Sequence, residues 1–97
     1  MNSVYAVIGV LSPSSACIVG IFDDRSSMCE ALSASFSNCY MQINGKRVDV
    51  SPVLIGVYMR NKYCVLYSKS SGCEVYKIYK ITLNKVNPKL DESIFKR

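Results

Sequence analysis

Five cysteines are the residues of this chain best able to do chemistry. They are Cys17, Cys29, Cys39, Cys64 and Cys73, and the chain contains no histidine. A zinc site of the Cys₂His₂ or Cys₃His type is therefore excluded, and no Cys-x-x-Cys pair supports a Cys₄ site. Because five thiols cannot all pair within one chain, we expect a reducing compartment rather than secretion.

The sequence offers no convincing catalytic group. A cysteine nucleophile needs a base or cation that lowers its pKa, and the closest arrangement is Lys62-Tyr63-Cys64, where strand alternation would put the lysine and the thiol on one side. The adjacent Asp23 and Asp24 precede a helical pattern and are predicted to cap it rather than act as an acid–base pair. We expect a protein that is not an enzyme, with no catalytic residue, no metal, no cofactor and no small-molecule substrate.

The net charge of +5 is unevenly distributed along the chain. Residues 1–45 carry one Lys or Arg against three acids, whereas residues 46–97 carry eleven against four. This asymmetry indicates a basic surface that is open to an acidic protein or to nucleic acid. The alternative is a solvated face that only keeps a small protein soluble.

Tyrosines alternate with lysines and arginines in the basic half. A sheet face that offers aromatic rings for stacking and cations for phosphates can bind single-stranded nucleic acid. The candidate residues for this function are Arg60, Lys62, Tyr63, Tyr67, Lys69, Tyr76 and Lys80. The alternative is that tyrosine suits strands and that lysine protects sheet edges.

A pattern that occurs twice, 47 positions apart, organises the chain. Val7-Ile8-Gly9-Val10-Leu11 and, after five residues, Cys17-Ile18-Val19 align with Leu54-Ile55-Gly56-Val57-Tyr58 and, at the same spacing, Cys64-Val65-Leu66. Each copy predicts two strands around a turn. The hairpins are predicted over residues 4–22 and 53–69. Because residues 4–11 are apolar on both alternating faces, we expect a central strand that is covered on both sides.

The remaining patterns complete a single domain over residues 1–97. Residues 24–37 predict an amphipathic helix, and Asn44-Gly45 predicts a type I′ hairpin over residues 39–50. A long strand is predicted over residues 73–84, followed by a polar tail over residues 85–97. The fold class is therefore α+β, with an antiparallel sheet of five to seven strands in the order β-β-α-β-β-β-β-β and one helix packed on it.

Two segments of the chain resemble small β-β-α-β domains of unknown function from phage, large viruses and bacteria. The matching residues are Tyr5-Ala6-Val7, Val19-Gly20-Ile21-Phe22, Asp23-Asp24, Ala31-Leu32 and the stretch from Val75 to Leu83-Asn84. This chain has a longer segment between the helix and the closing strand than those domains have. The resemblance implies a shared opening of the fold and a viral protein, and it implies no catalytic residue and no ligand.

No apolar run reaches the length of a membrane span, since Ser12-Pro13-Ser14-Ser15 interrupts the most hydrophobic region, and no Lys or Arg precedes that region as in a signal peptide. We therefore expect no membrane segment, no signal peptide and an intracellular or virion location.

The predicted function is non-enzymatic protein binding or assembly, as in a virus-encoded accessory or virion component. A protein partner or self-association is expected, with Lys46 and Arg47 of the Asn-Gly hairpin as the contact. The alternative is binding of single-stranded nucleic acid by the Tyr/Lys face.

Overall fold

The computed structural model describes residues 3–12, 14–59 and 63–82, which form an antiparallel sheet of six strands with three short helices. The strands are β1 (Ser3–Ser12), β2 (Ser15–Phe22), β3 (Cys39–Ile43), β4 (Lys46–Asp49), β5 (Tyr63–Ser68) and β6 (Glu74–Thr82), and the helices are α1 (Arg25–Ala31), α2 (Ser33–Phe36) and α3 (Pro52–Tyr58). The predicted α+β class and the number of antiparallel strands are confirmed. The prediction of one helix is wrong, and the predicted tail over residues 85–97 lies outside the described residues.

The strand order in the sheet is β2-β1-β6-β5-β3-β4, and every neighbouring pair is antiparallel. The hairpins β1–β2, β3–β4 and β5–β6 supply three of the five pairings. The β3–β4 turn has Asn44 at φ 52° and Gly45 at φ 78°, the two positive values that a type I′ turn requires. The two edges of the sheet are therefore β2 and β4.

The predicted helix over residues 24–37 is divided into α1 and α2. Asp24 begins α1 as its N-cap, and its carboxylate accepts a hydrogen bond from the backbone N–H of Ser27 at 2.7 Å. That bond holds the pKa of Asp24 below its usual range. Leu32, at φ −107° and ψ 20°, leaves helical geometry and separates the two helices. The low helix propensity of the serine-rich sequence makes such an interruption inexpensive.

The first strand of the predicted second hairpin is instead the helix α3, so the prediction of a hairpin over residues 53–69 is wrong. Ser51 has extended backbone, and its Oγ accepts a hydrogen bond from the N–H of Leu54 at 3.2 Å. Pro52 occupies the first turn, where its missing N–H has no partner to lose. These two residues start a helix in a sequence whose apolar pattern alone is typical of a strand.

All three helices contribute to a core on one face of the sheet. Val7, Ile78 and Cys64 lie opposite one another in the ladder, so they share that face, and Met28 of α1 and Ile55 of α3 pack into the same cluster. Each of these five residues is at most 6% exposed. No described helix or strand lies on the other face of the sheet. The expectation that residues 4–11 are covered on both sides is therefore wrong for the described part of the chain.

Candidate interaction surface

The edge strand β2 is the most unusual surface of the molecule. Its eight residues, Ser-Ala-Cys-Ile-Val-Gly-Ile-Phe, include no charged side chain, and most of them are exposed. Ile18 is 67% exposed and Ile21 is 61% exposed. Natural sheets usually protect an edge of this length with lysine, proline or a covering element. Among the described residues β2 has none of these, although it contains a β-bulge at Val19, a feature that also protects some edges.

A β-bulge turns both isoleucines of β2 to the same face. The register shifts beside Val7, since Val7 pairs with Gly20 whereas Ile8 pairs with Ile18. Without the shift, residues 18 and 21 would lie on opposite faces, because strand side chains alternate. Gly9 of β1 makes room at this point, since a Cβ there would stand only 3.0 Å from Cγ2 of Val19.

The face of the sheet opposite the helices, called the open face below, is aliphatic near β2. Ladder pairs place Ile21 beside Ala6, Ile18 beside Ile8, and Ile81 beside Val4 on this face. Ile81 is 44% exposed. We call the set Val4, Ile8, Ile18, Ile21 and Ile81 the aliphatic patch. It continues without interruption to the free edge of β2.

The other half of the open face is aromatic. Tyr63 and Tyr79 stack with ring centroids 5.3 Å apart, and Tyr40 and Tyr67 stack at 5.4 Å. The guanidinium of Arg47 lies over the Tyr40 ring, 4.4 Å from its centroid, and Tyr40 is only 5% exposed. Each ring packs against its partner across neighbouring strands, so these tyrosines stabilise the sheet as stacked pairs.

The predicted partner-binding residues, Lys46 and Arg47, lie on β4, at the edge far from β2. Arg47 is engaged by Tyr40 on the open face, as described above. Lys46 is exposed and pairs with Ile43, whereas Arg47 pairs with Gln42. Because consecutive residues of a strand alternate between faces, the two cations point to opposite faces of the sheet. The hairpin therefore does not present them as one charged tip.

The predicted nucleic-acid-binding residues do not form one surface. Tyr63 and Tyr67 lie on the open face, whereas Tyr76 packs edge to face with Phe36 of α2 at 5.8 Å. Lys80 pairs with Tyr5 on the helix-bearing face. Lys69 contacts the Asp49 carboxylate at 3.2 Å, an exposed ion pair of small energetic value. Arg60 and Lys62 lie outside the described residues.

Burial makes three of the five cysteines poor nucleophiles. All five thiols are free, and burial raises the pKa of Cys64 to about 12, with the nearby Cys29 thiol adding to the shift. Burial also raises the pKa values of Cys29 and Cys39. A thiol with a raised pKa is a poor nucleophile at neutral pH. Across the described ranges, no three His, Cys, Asp or Glu residues are grouped as metal ligands.

Two clefts formed by described residues are shallow and bring few ionisable groups together. One, of about 310 Å³, lies between α1, α2 and the end of β4, and its only ionised side chains are the exposed Asp49 and Lys69. The other, of about 210 Å³, lies where β3 and β5 separate, next to Tyr58. No polar or charged residue of the described chain is buried. Neither cleft has the enclosed, convergent polar groups of an active site.

Sequence reasoning did not identify β2 as a surface. Its signal was present, because residues 15–22 carry no charge. The pattern could not distinguish a buried internal strand from an exposed edge, since strand order depends on contacts between residues far apart in the chain.

Comparison with known proteins gave no significant match. No protein-family model, no curated protein and no solved structure shows a significant match to it. The resemblance to viral, phage and bacterial domains, and a viral origin, therefore stay predictions. None of the helices in the described ranges has the length and apolar character that crossing a bilayer requires.

Proposed function

We propose that this protein is a non-enzymatic protein-binding module that captures an extended protein segment along the free edge of β2. The observation that carries the proposal is an eight-residue edge strand that has no charged side chain and exposes its own Ile18 and Ile21. Strand addition uses such an edge, because the backbone groups supply hydrogen bonds and the flanking side chains supply selectivity. Because the aliphatic patch flanks this edge, we expect it to select segments with apolar side chains.

The lack of convergent chemistry supports binding over catalysis. Among the described residues, the amines and thiols that could act in catalysis are of two kinds. Some are exposed and far from one another, and others, like Cys64, are buried with a raised pKa. Catalysis requires acid, base or nucleophile to meet within hydrogen-bond reach of one reacting atom. No such meeting point occurs in the two clefts.

A selection with random peptides tests the proposal. Peptides are selected on sparsely immobilised full-length protein, and their affinities are then measured for the parent, for Ile18→Lys and for Val53→Lys. Val53 is a matched control, since it is an aliphatic residue of α3 with 72% exposure. We expect β-branched, extended peptides that lose at least about tenfold in affinity with Ile18→Lys and little with Val53→Lys. Equal affinity for all three proteins would show that the edge of β2 is not the binding element.

A second candidate, binding of single-stranded nucleic acid, is favoured by one part of the open face. Tyr63 is 44% exposed, stacks on Tyr79 and lies near Lys77 on the same face. Retention of oligothymidine at low salt tests this function. Lys77→Glu should abolish retention, whereas Lys80→Glu, with the same charge change on the opposite face, should leave most of it. Equal effects of the two substitutions, or no retention by the parent, would remove the candidate.

A further inference from the structure

The edge of β2 has the properties that pairing with a second copy of itself requires. The strand extends over Ser15–Phe22, about 26 Å at the usual rise per residue. Alternate residues of an edge strand turn their N–H and C=O groups away from the sheet, so about four residues of β2 present unpaired backbone groups. We infer that two copies of the protein associate through antiparallel pairing of β2 with β2 around a two-fold axis. This inference rests on the proposed function of β2 as a binding edge.

The charge distribution along β2 permits this pairing and selects its direction. A two-fold axis places a strand against itself, so a charged residue near the axis would face a like charge. β2 has no charge to repel, and Asp23 and Asp24 follow directly at its end. Antiparallel pairing puts these aspartates beside the opposite end of the second strand, near its Ser15. A parallel arrangement would instead bring all four carboxylates together.

The position of Lys46 and Arg47 also permits pairing in this orientation. β4, which carries Lys46 and Arg47, is the far edge of the sheet, five strand spacings or about 24 Å from β2. Pairing through β2 keeps the β4 edges of the two copies outermost. Lys46 and Arg47 of one copy then lie about 50 Å from those of the other, well beyond the range of screened charges.

The same arrangement explains why association would stop at two copies. Each outer edge of the resulting sheet is β4, which has four residues, of which Lys46, Arg47 and Asp49 are charged. Short edges with charged side chains resist further strand pairing. The pairing therefore closes as a dimer and does not continue into a fibre.

Exposed aliphatic side chains supply the driving force of the inferred contact. Ile18 lies near the middle of β2 and on the open face. When the whole strand is paired, the two-fold axis passes near this point, so Ile18 lies within side-chain reach of Ile18 in the second copy. Burial of such side chains is favourable by about 25 cal/mol per Å² of apolar surface. The aliphatic patches of the two copies would then join across the axis.

Sedimentation analysis of the full chain between about 1 µM and about 1 mM, which spans weak to moderate dissociation constants, tests the inference. We expect the parent and Val53→Lys to form dimers, and Ile18→Lys to weaken the dimer at least about tenfold because two lysines then meet at the axis. Mixing Ile18→Lys with Ile18→Glu should restore association as a heterodimer. This rescue separates a contact effect from loss of folding.

Two outcomes would overturn the dimer. The parent could stay monomeric at every concentration, or it could form a dimer that Ile18→Lys does not weaken. If the parent is monomeric and still selects peptides that depend on Ile18, the inferred dimer fails and the proposed binding edge stands. If the dimer forms and depends on Ile18 but no peptide binds, the edge serves self-association alone and the broader proposal fails.

Discussion

The strands that end the two copies of the apolar repeat have opposite surroundings. Among the described strands, β2, which contains Cys17-Ile18-Val19, has a neighbour on one side only, whereas β5, which contains Cys64-Val65-Leu66, lies between β6 and β3. The aligned residues differ accordingly. Val19 is 40% exposed and Leu66 is fully buried. The same pattern therefore forms an exposed sheet edge in one copy and part of the core in the other.

The first halves of the two copies differ even more, since one is strand β1 and the other is helix α3. Their apolar residues are nearly equivalent, but Ser51 and Pro52 of the second copy align with Val4 and Tyr5 of the first. Ser51 caps α3 and Pro52 starts it. The residues before an apolar run therefore select its structure, and strand order then decides which of its side chains are exposed.

The largest expected contrast between the copies is in thiol reactivity. Burial shields Cys64 from reagents and raises its pKa to about 12, so very little of that thiol is ionised at pH 8. Cys17 is exposed on β2. Maleimide labelling of dilute folded protein, followed residue by residue with mass spectrometry, should modify Cys17 at least about a hundredfold faster than Cys64. In unfolded protein the two rates should be similar, and equal rates in the folded protein would contradict the burial of β5.

The next contrast is in the stability that aligned side chains provide. Leu66→Ala removes a fully buried side chain and should lower the free energy of unfolding by about 2–5 kcal/mol. Val19→Ala, at the matched position of β2, should cost about 1 kcal/mol or less, since part of that side chain is already in contact with water. Urea unfolding followed by circular dichroism measures both. A similar loss of unfolding free energy for both variants would show that β2 is covered in solution. The inferred dimer predicts such covering only at high protein concentration.

The smallest expected effect concerns the residue that starts α3. Ser51→Ala removes the oxygen that accepts the hydrogen bond from the Leu54 N–H and should lower the free energy of unfolding by about 1 kcal/mol. Ser51→Asp, which retains a capping oxygen, is the matched control and should preserve most of the stability. Thermal unfolding of the three proteins gives the comparison. If Ser51→Ala is as stable as the parent, Pro52 and tertiary packing rather than the cap determine the helix.

Much of the architecture followed from local signals. The Asn44-Gly45 turn was predictable because only residues that tolerate positive φ fit it, and both residues have positive φ in the structure. The helix α3 was missed because a seven-residue apolar run fits a buried strand and a buried helix equally well. The cap at Ser51 was the signal that distinguished them.

The candidate site was hidden for a different reason. The basic residues drew attention because charge is visible in a sequence, yet Tyr76 and Lys80 lie on the face opposite Tyr63 and Tyr67. Ile18 and Ile21 were visible only as apolar residues. Their common face depends on the β-bulge, which one added residue in β2 creates relative to β1.

The sequence by itself determined the α+β class, the antiparallel strands, the Asn-Gly hairpin and the absence of histidine chemistry, because these depend on residue type and short-range spacing. Tertiary structure alone decided that β2 is an edge, that the three described helices share one face, and that Cys64 is buried while Cys17 is exposed. These properties arise from pairings between residues far apart in the chain. Their free energies depend on which surfaces meet, and that information is not contained in any local pattern.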